Sequence, residues 1–203
     1  MTDFFPLRRC NEWNDMVAKG LDKISVPLFQ VDACNVVPVW VASDKQEVGA
    51  RTLRPKINKL YSKYLKPFPA IASNPPSTPL PKSTDWEAVM NSLSAEVHKT
   101  SMPSTFKPGK AAGMEVFRKF CDERLKDYAD NRNDPNLEVQ SDMSPYVRFG
   151  QVGFQRLALD VRELKKHGSG TAAFIEEGVV RREVRRSEAR CGEGWSEATA
   201  IIS

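Results

Sequence analysis

The sequence lacks a long apolar run and lacks a leader at its start. The longest apolar stretch, residues 36–42, is far shorter than the roughly 18 residues that a membrane-spanning helix needs. Asp3 and Pro6 stand where a secretory leader would carry basic and then apolar residues. We therefore expect a protein with no membrane association that is not exported.

Cysteine and histidine are scarce. The four cysteines, Cys10, Cys34, Cys121 and Cys191, lie far apart and form no Cys-x-x-Cys pair, and the chain has 2 histidines. This pattern signals neither a zinc site nor a disulfide framework. We expect reduced thiols in an intracellular compartment, which would be the nucleus in a eukaryote.

No charge of one sign dominates. The 30 basic and 26 acidic residues leave a net charge of +4, and 40% of residues are apolar against 28% charged. These values are typical of an ordinary globular protein. The mildly basic balance is compatible with a nucleic-acid surface but does not require one, because steering depends on clustered charge.

The first two regions of the chain differ in composition. Residues 1–66 predict a partial α/β layer, with helices at 11–21 and 53–65 and strands at 26–31 and 36–42. Residues 67–108 hold more than half of the 14 prolines and predict an extended connector. One short helix is expected in this connector near residues 85–97, with Asp85 as its N-cap.

Residues 109–186 predict an all-α region. One apolar stripe with helical spacing runs through Met114, Phe117, Cys121, Leu125 and Tyr128. A second helix is predicted from an N-cap at Ser144 to Leu164, glycines at 168–170 end it, and a third helix covers 171–186. Residues 187–203 lose this periodicity, and we expect them to be disordered.

Two polar clusters could carry chemistry. The turn at residues 140–145 leads into a helix N-terminus, where backbone N–H groups and serine hydroxyls can bind phosphate, although such a serine is more often only a helix cap. Glu177 and Arg181 are four residues apart on one helix. They form either a solvated ionic face or a polar binding surface for a base edge and phosphates.

Several separate segments share one further property. In the order in which they occur, they closely resemble the class II cyclobutane pyrimidine dimer photolyases, and the similarity runs from about residue 3 to residue 183. The segments that carry this resemblance are residues 31–47, 50–57, 124–128, 132–135, 144–151, 155–156 and 174–183.

The resemblance implies an α/β domain followed by a helical domain that binds FAD, in a monomeric enzyme that repairs UV-damaged DNA with light. Reduced flavin donates an electron to a pyrimidine dimer that is flipped out of the duplex. By resemblance, Glu177 binds the base edge of the dimer, Arg132 lies at the lesion and Arg181 is its polar neighbour. The implied FAD contacts are Tyr128, Ser141, Asp142, Met143 and Ser144.

The sequence also departs from the family pattern. Cys34 stands where histidine is usual in the family, and Gly178 stands where leucine or alanine is usual. The sequence after Glu183 does not match the family sequences. We therefore expect a photolyase truncated at both ends, with an incomplete sheet, exposed apolar surface and weak or no FAD binding. The alternative is a non-catalytic product that binds DNA weakly, and a cryptochrome-like signalling protein is less favoured.

Overall fold

The computed structural model describes residues 1–5, 7–45, 47, 49–70, 84–92, 106–187 and 199–201. The chain divides into two compact units, one formed by Met1–Pro67 with Gly109–Ser203 and the other by Phe68–Pro108. Assigning these ranges to the two domains of a known family remains a prediction. Among the described residues, every helix is too short or too polar to cross a lipid bilayer.

The larger unit begins with a small parallel sheet and the helices around it. The order of its strands is β1-β2-β3, and both pairs are parallel. The elements of this part are β1 (Thr2–Asp3), α1 (Arg8–Asp22), β2 (Leu28–Val31), α2 (Val39–Ala42), α3 (Ala50–Tyr64) and, from the other end of the chain, β3 (Thr199–Ile201). Strand β3 falls within the predicted disordered tail, so that prediction is wrong for these three residues.

The rest of the larger unit is helical. It contains two long helices, and each of them includes a π-helical turn. In such a turn each backbone hydrogen bond spans one more residue than in an α-helix. The elements are α5 (Lys110–Lys119), π1 (Phe120–Arg124), α6 (Leu125–Asn131), α7 (Ser144–Arg148), α8 (Phe154–Glu163), α9 (Gly168–Ile175), π2 (Glu176–Arg181) and α10 (Arg182–Ser187). Turns of this π type occur often at functional sites, which directs attention to π1 and π2.

The smaller unit contains one described helix, α4 (Trp86–Ser92). Its predicted N-cap is confirmed, because the Asp85 carboxylate accepts the Ala88 N–H at 3.0 Å. Residues 93–97 of the predicted helix lie outside the described residues. The predictions of α1, β2 and α3 are also confirmed, with boundaries that differ by a few residues.

The predicted strand at residues 36–42 is wrong, because the chain forms α2 there. Pro38 precedes this helix in an extended conformation. The Asp32 carboxylate accepts the Val39 N–H at 3.1 Å and caps the helix from outside it. The preference of the β-branched residues for a strand is thus overridden by a helix cap from a residue seven positions earlier in the chain.

The predicted helix from Ser144 to Leu164 is two helices. Gly150 adopts a φ of +67°, which ends α7 before α8 begins. The cap is also displaced by one residue, since Met143 occupies the N-cap position and Ser144 is the first helical residue. The glycines at 168–170 do not end a helix either, because Gly168 begins α9.

One hydrophobic core joins the α/β layer to the helical region. Its members include Leu53 and Ile57 of α3, Phe120 of π1 and Leu157 of α8. Apolar side chains of α1 remain exposed, among them Trp13, Met16 and Val17. Helix α1 therefore presents several apolar side chains to solvent.

A close approach between α9 and α6 organises the helical region. A Cβ atom added to Gly170 would lie 1.9 Å from the Leu125 carbonyl oxygen, so only glycine fits at this contact. The Leu125 backbone belongs to a helix and cannot yield as a flexible side chain could. Gly170 therefore sets the distance between the two helices.

We predict that Gly170→Ala lowers the free energy of unfolding by about 1–3 kcal/mol, because the added methyl group forces the helices apart. Gly168→Ala is the matched control, since nothing lies within 4 Å of a Cβ at that position on the same helix. We expect the control to be neutral or stabilising by up to about 1 kcal/mol. Urea denaturation checks both variants, and equal effects would contradict the assigned role of Gly170.

Candidate functional site

Aromatic packing fixes Tyr128 at the junction of α6, π1 and α9. Its ring lies edge-on to Phe120 with 5.3 Å between the ring centroids, and 6.2 Å from the ring of Phe174. Phe120 and Phe174 are themselves 5.3 Å apart. The three rings are buried, so Tyr128 is held by rigid neighbours on both helices.

A carboxylate on π2 is shared between two guanidinium groups. Glu177 Oε1 lies 3.3 Å from Arg132 Nε at the end of α6 and 3.3 Å from Arg181 Nε. The expected pairing of Glu177 with Arg181 is thus observed. The side chains of Arg132, Glu177 and Arg181 are 22%, 30% and 55% exposed, so this cluster is accessible from solvent.

The charges of this cluster act on the phenol group of Tyr128. Burial raises the pKa of its phenol, the charge of Glu177 raises it further, and Arg132 and Arg181 oppose the shift. The structure therefore brings together four of the predicted site residues: Tyr128, Arg132, Glu177 and Arg181.

The other four predicted site residues form the turn before α7. Asp142 adopts a φ of +56°, Met143 is buried in the core, and Ser141 and Ser144 remain accessible. The turn is connected to the charged cluster because the Gln140 side chain donates a hydrogen bond to the Arg132 carbonyl oxygen.

Arg124 is a member of the site that sequence reasoning missed. It extends from π1 and places a guanidinium N–H 2.8 Å from the Asp142 carboxylate. This ion pair offsets the negative charge of Asp142 beside the two serines. The partners lie 18 residues apart in the chain, so no local sequence pattern could have revealed the pair.

Contacts from the α/β layer hold both ends of π2. Arg54 of α3 donates two hydrogen bonds to Glu176 Oε1, at 2.9 and 2.7 Å. Beyond the other end of π2, Glu183 Oε1 accepts the Val36 N–H at 2.8 Å and the Val37 N–H at 3.2 Å. Glu177 thus belongs to a segment that is attached on each side to elements distant in sequence.

Gly178 follows the charged carboxylate and explains one departure noted in the sequence. A Cβ atom at this position would lie 1.6 Å from Phe154 Cζ. The Phe154 ring is buried and packs on Phe174 with 5.3 Å between centroids. The ring therefore fills the space that a larger side chain at position 178 would need.

Comparison with known proteins identifies the family. The chain is 39% identical over 186 residues to the deoxyribodipyrimidine photo-lyase of Potorous tridactylus, and the match covers 91% of this chain. The chain is a photolyase-family sequence. It is also 38% identical over 195 residues to the deoxyribodipyrimidine photo-lyase of Arabidopsis thaliana, again with 91% of this chain covered.

The similarity extends to an archaeal photolyase. The deoxyribodipyrimidine photo-lyase of Methanothermobacter thermautotrophicus is 31% identical over 190 residues, which cover 94% of this chain. This photolyase-family chain spans 35% of the length of the Potorous protein, 39% of the Arabidopsis protein and 41% of the archaeal one. No protein-family model matches it.

Glu183 of the photolyase-family chain is buried with an unusual pKa. Burial raises the pKa of its carboxyl group from 4.5 to about 7, against the opposing hydrogen bonds from Val37 and Val36. Its second oxygen, Oε2, is buried without a hydrogen-bond partner in the described part of the chain. The folded protein therefore favours the neutral form of this carboxyl group.

We predict that Glu183 makes stability fall as the pH rises from 4.5 to 7. Because the folded pKa is the higher one, its contribution is complete below pH 4.5 and is lost as the pH passes through about 7. The expected loss, relative to Glu183→Gln, is about 3 kcal/mol. Unfolding free energies of both proteins across this pH range measure the difference.

Glu183→Gln is a suitable reference because its amide oxygen can still accept the Val36 and Val37 N–H groups. The titration of Glu47 does not contribute to the change in stability between pH 4.5 and 7. Hydrogen bonds from Lys56, Thr52 and Ser43 lower its pKa to about 2, below the range tested. Parallel stability curves for the two proteins would contradict the prediction.

Proposed function

We propose that this chain provides part of the cofactor and lesion site of a class II DNA photolyase, which repairs cyclobutane pyrimidine dimers with light. The observation that carries the proposal is the joining of Glu177 to Arg132 and Arg181 beside Tyr128 on packed helices. The names of the relatives, deoxyribodipyrimidine photo-lyases, support the same function. In fold, the chain would supply part of the α/β domain and the first helices of the FAD-binding domain.

Glu177 is proposed to bind the base edge of the dimer. Its Oε1 atom is engaged by the two arginines, while Oε2 has no hydrogen-bond partner in the described ranges of the chain. A carboxylate oxygen accepts an imide N–H, such as that on a thymine edge. The guanidinium groups would hold the carboxylate in place and offer their remaining N–H groups to the lesion or its phosphates.

The turn at 141–144 and Tyr128 are proposed to contact FAD. The hydroxyl groups of Ser141 and Ser144 have no hydrogen-bond partners within the described ranges, and Arg124 neutralises Asp142 between them. These features fit a phosphate group, and the Tyr128 hydroxyl would bind the ribityl chain. When bound, reduced flavin supplies the electron that splits the dimer.

The proposed partner is UV-damaged DNA, bound by a monomer with the dimer flipped into the site. Flipping is cheaper at a lesion whose stacking and pairing are already disturbed, which favours damaged over intact sites. Cys10, Cys34 and Cys121 carry free thiols, which supports a reducing intracellular compartment, the nucleus if the source is eukaryotic.

We predict that the chain binds a duplex with one thymine dimer more tightly than the same duplex without damage. Glu177→Ala should lower the ratio of the two affinities about tenfold or more, because a charged hydrogen-bond acceptor is lost. Fluorescence anisotropy at fixed salt measures both affinities. Arg8→Ala is the control, since Arg8 is highly exposed and its one ion pair among the described residues is with Glu12 on α1.

The same titration distinguishes the proposed photolyase site from the alternative, a non-catalytic protein that binds DNA weakly. A preference for the damaged duplex that depends on Glu177 supports the photolyase site. Salt-sensitive binding of equal strength to both duplexes would instead support a non-catalytic protein with weak DNA binding, and would refute the lesion site.

We predict that Ser144→Asp weakens binding of added FAD about fivefold, because a carboxylate near the phosphate costs about 1 kcal/mol. Ser62→Asp, an exposed position on α3, is the control with the same added charge. Quenching of flavin fluorescence measures the affinity, which we expect to be weak in the chain itself. Equal binding by both variants would remove the turn from the proposed FAD contacts.

A further inference from the structure

The segment that carries Glu177 is restrained by groups that belong to the α/β layer. Arg54 holds Glu176 through two hydrogen bonds to one carboxylate oxygen. These contacts involve the residue next to Glu177 and join positions 122 residues apart. Neither Arg54 nor Glu176 is among the proposed lesion or cofactor contacts.

Helix geometry makes the position of Glu176 control the direction of Glu177. Neighbouring residues on a helix point in different directions, about 100° apart in an α-helix and less in a wider π turn, so the two side chains lie on different faces. Glu176 faces α3 through Arg54, while Glu177 faces α6 through Arg132. Two ion pairs in different directions resist rotation of π2 about its axis, which one pair could not do.

Arg54 is well placed for this restraint. Its neighbours Leu53 and Ile57 are fully buried in the core, so α3 is a fixed base for the guanidinium group. On the other side, Val179 and Val180 of π2 are buried in the same core. The planar guanidinium fork donates two parallel N–H groups, a geometry that lysine cannot reproduce.

We propose that Arg54 is a positioning residue, which orients Glu177 toward its ligand by holding Glu176. The inference rests on the proposed function for the identity of that ligand, a pyrimidine dimer. Arg54 touches neither the dimer nor the flavin. Its effect is to keep the Glu177 carboxylate beside Arg132 and accessible to the base edge.

The test uses all 203 residues of this sequence and a charge swap. We expect Arg54→Glu and Glu176→Arg each to lower the preference for a thymine-dimer duplex about fivefold or more. The double variant, with the pair reversed, should recover most of the preference. Arg8→Ala is again the control, because it removes an exposed arginine that pairs with Glu12 on α1. Thermal unfolding establishes that all variants are folded at the assay temperature.

A second readout does not depend on DNA. In nitrogen-proton NMR spectra, the Arg132 Nε–H signal should report its hydrogen bond to Glu177. We expect Arg54→Ala to shift this signal or to broaden it through exchange, while Arg8→Ala leaves it unchanged. A purely structural role for Arg54 would lower the unfolding temperature but leave both the duplex preference and this signal as they are.

The outcomes distinguish the two proposals. If the unmodified chain shows no preference for damaged DNA, the proposed function fails, and the NMR signal alone decides the role of Arg54. If the preference exists but neither charge-reversed variant alters it, the positioning role is refuted. The same conclusion holds if the Arg132 signal does not respond to Arg54→Ala. Loss in both single variants with recovery in the double variant supports the proposal.

Discussion

The contact between α9 and α6 at Gly170 is the constraint on which the candidate site depends. The absence of a side chain there lets α9 approach the Leu125 carbonyl closely. This approach packs Phe174 of α9 against Tyr128 of α6 and brings the end of α6 beside π2. Side chains far apart in sequence can then share one carboxylate, because the backbones that carry them are held at a fixed distance.

Charged groups around this contact are connected as a network. Glu177 joins two arginines, Arg124 offsets Asp142, and Arg54 holds Glu176. Each exposed pair by itself contributes little to stability. Their importance is geometric, since each pair fixes the direction of a side chain beside the proposed binding surface.

Local patterns in the sequence predict some parts of this structure well. The apolar stripe through Phe117, Leu125 and Tyr128 predicts the long helix, because one face of a helix must be buried. The same stripe gives no sign of π1, since its spacings of three and four residues are those of an ordinary α-helix. The strand predicted at 36–42 is wrong because the Asp32 carboxylate, seven residues before Val39, caps a helix there.

The candidate site shows the same limit. The pair of Glu177 with Arg181 follows from helical spacing alone. The contact of Arg132 with Glu177 spans 45 residues, and the family resemblance implies a role at the lesion for each residue without predicting this contact. Arg54 was missed as a site residue because its partner lies 122 residues away, and only the packed core brings the two together.

The attachments of π2 also bear on the order in which the chain folds. The contact of Glu183 with Val36 closes a loop of 147 residues, whereas α6 and π2 are joined across 45. Closing a longer loop costs more chain entropy, and non-local contacts slow folding. During synthesis, the α/β layer must wait for residue 183 to leave the ribosome before its loop can receive this carboxylate. The attachment of Glu183 to the α/β layer is therefore a later step in folding than the contact between α6 and π2.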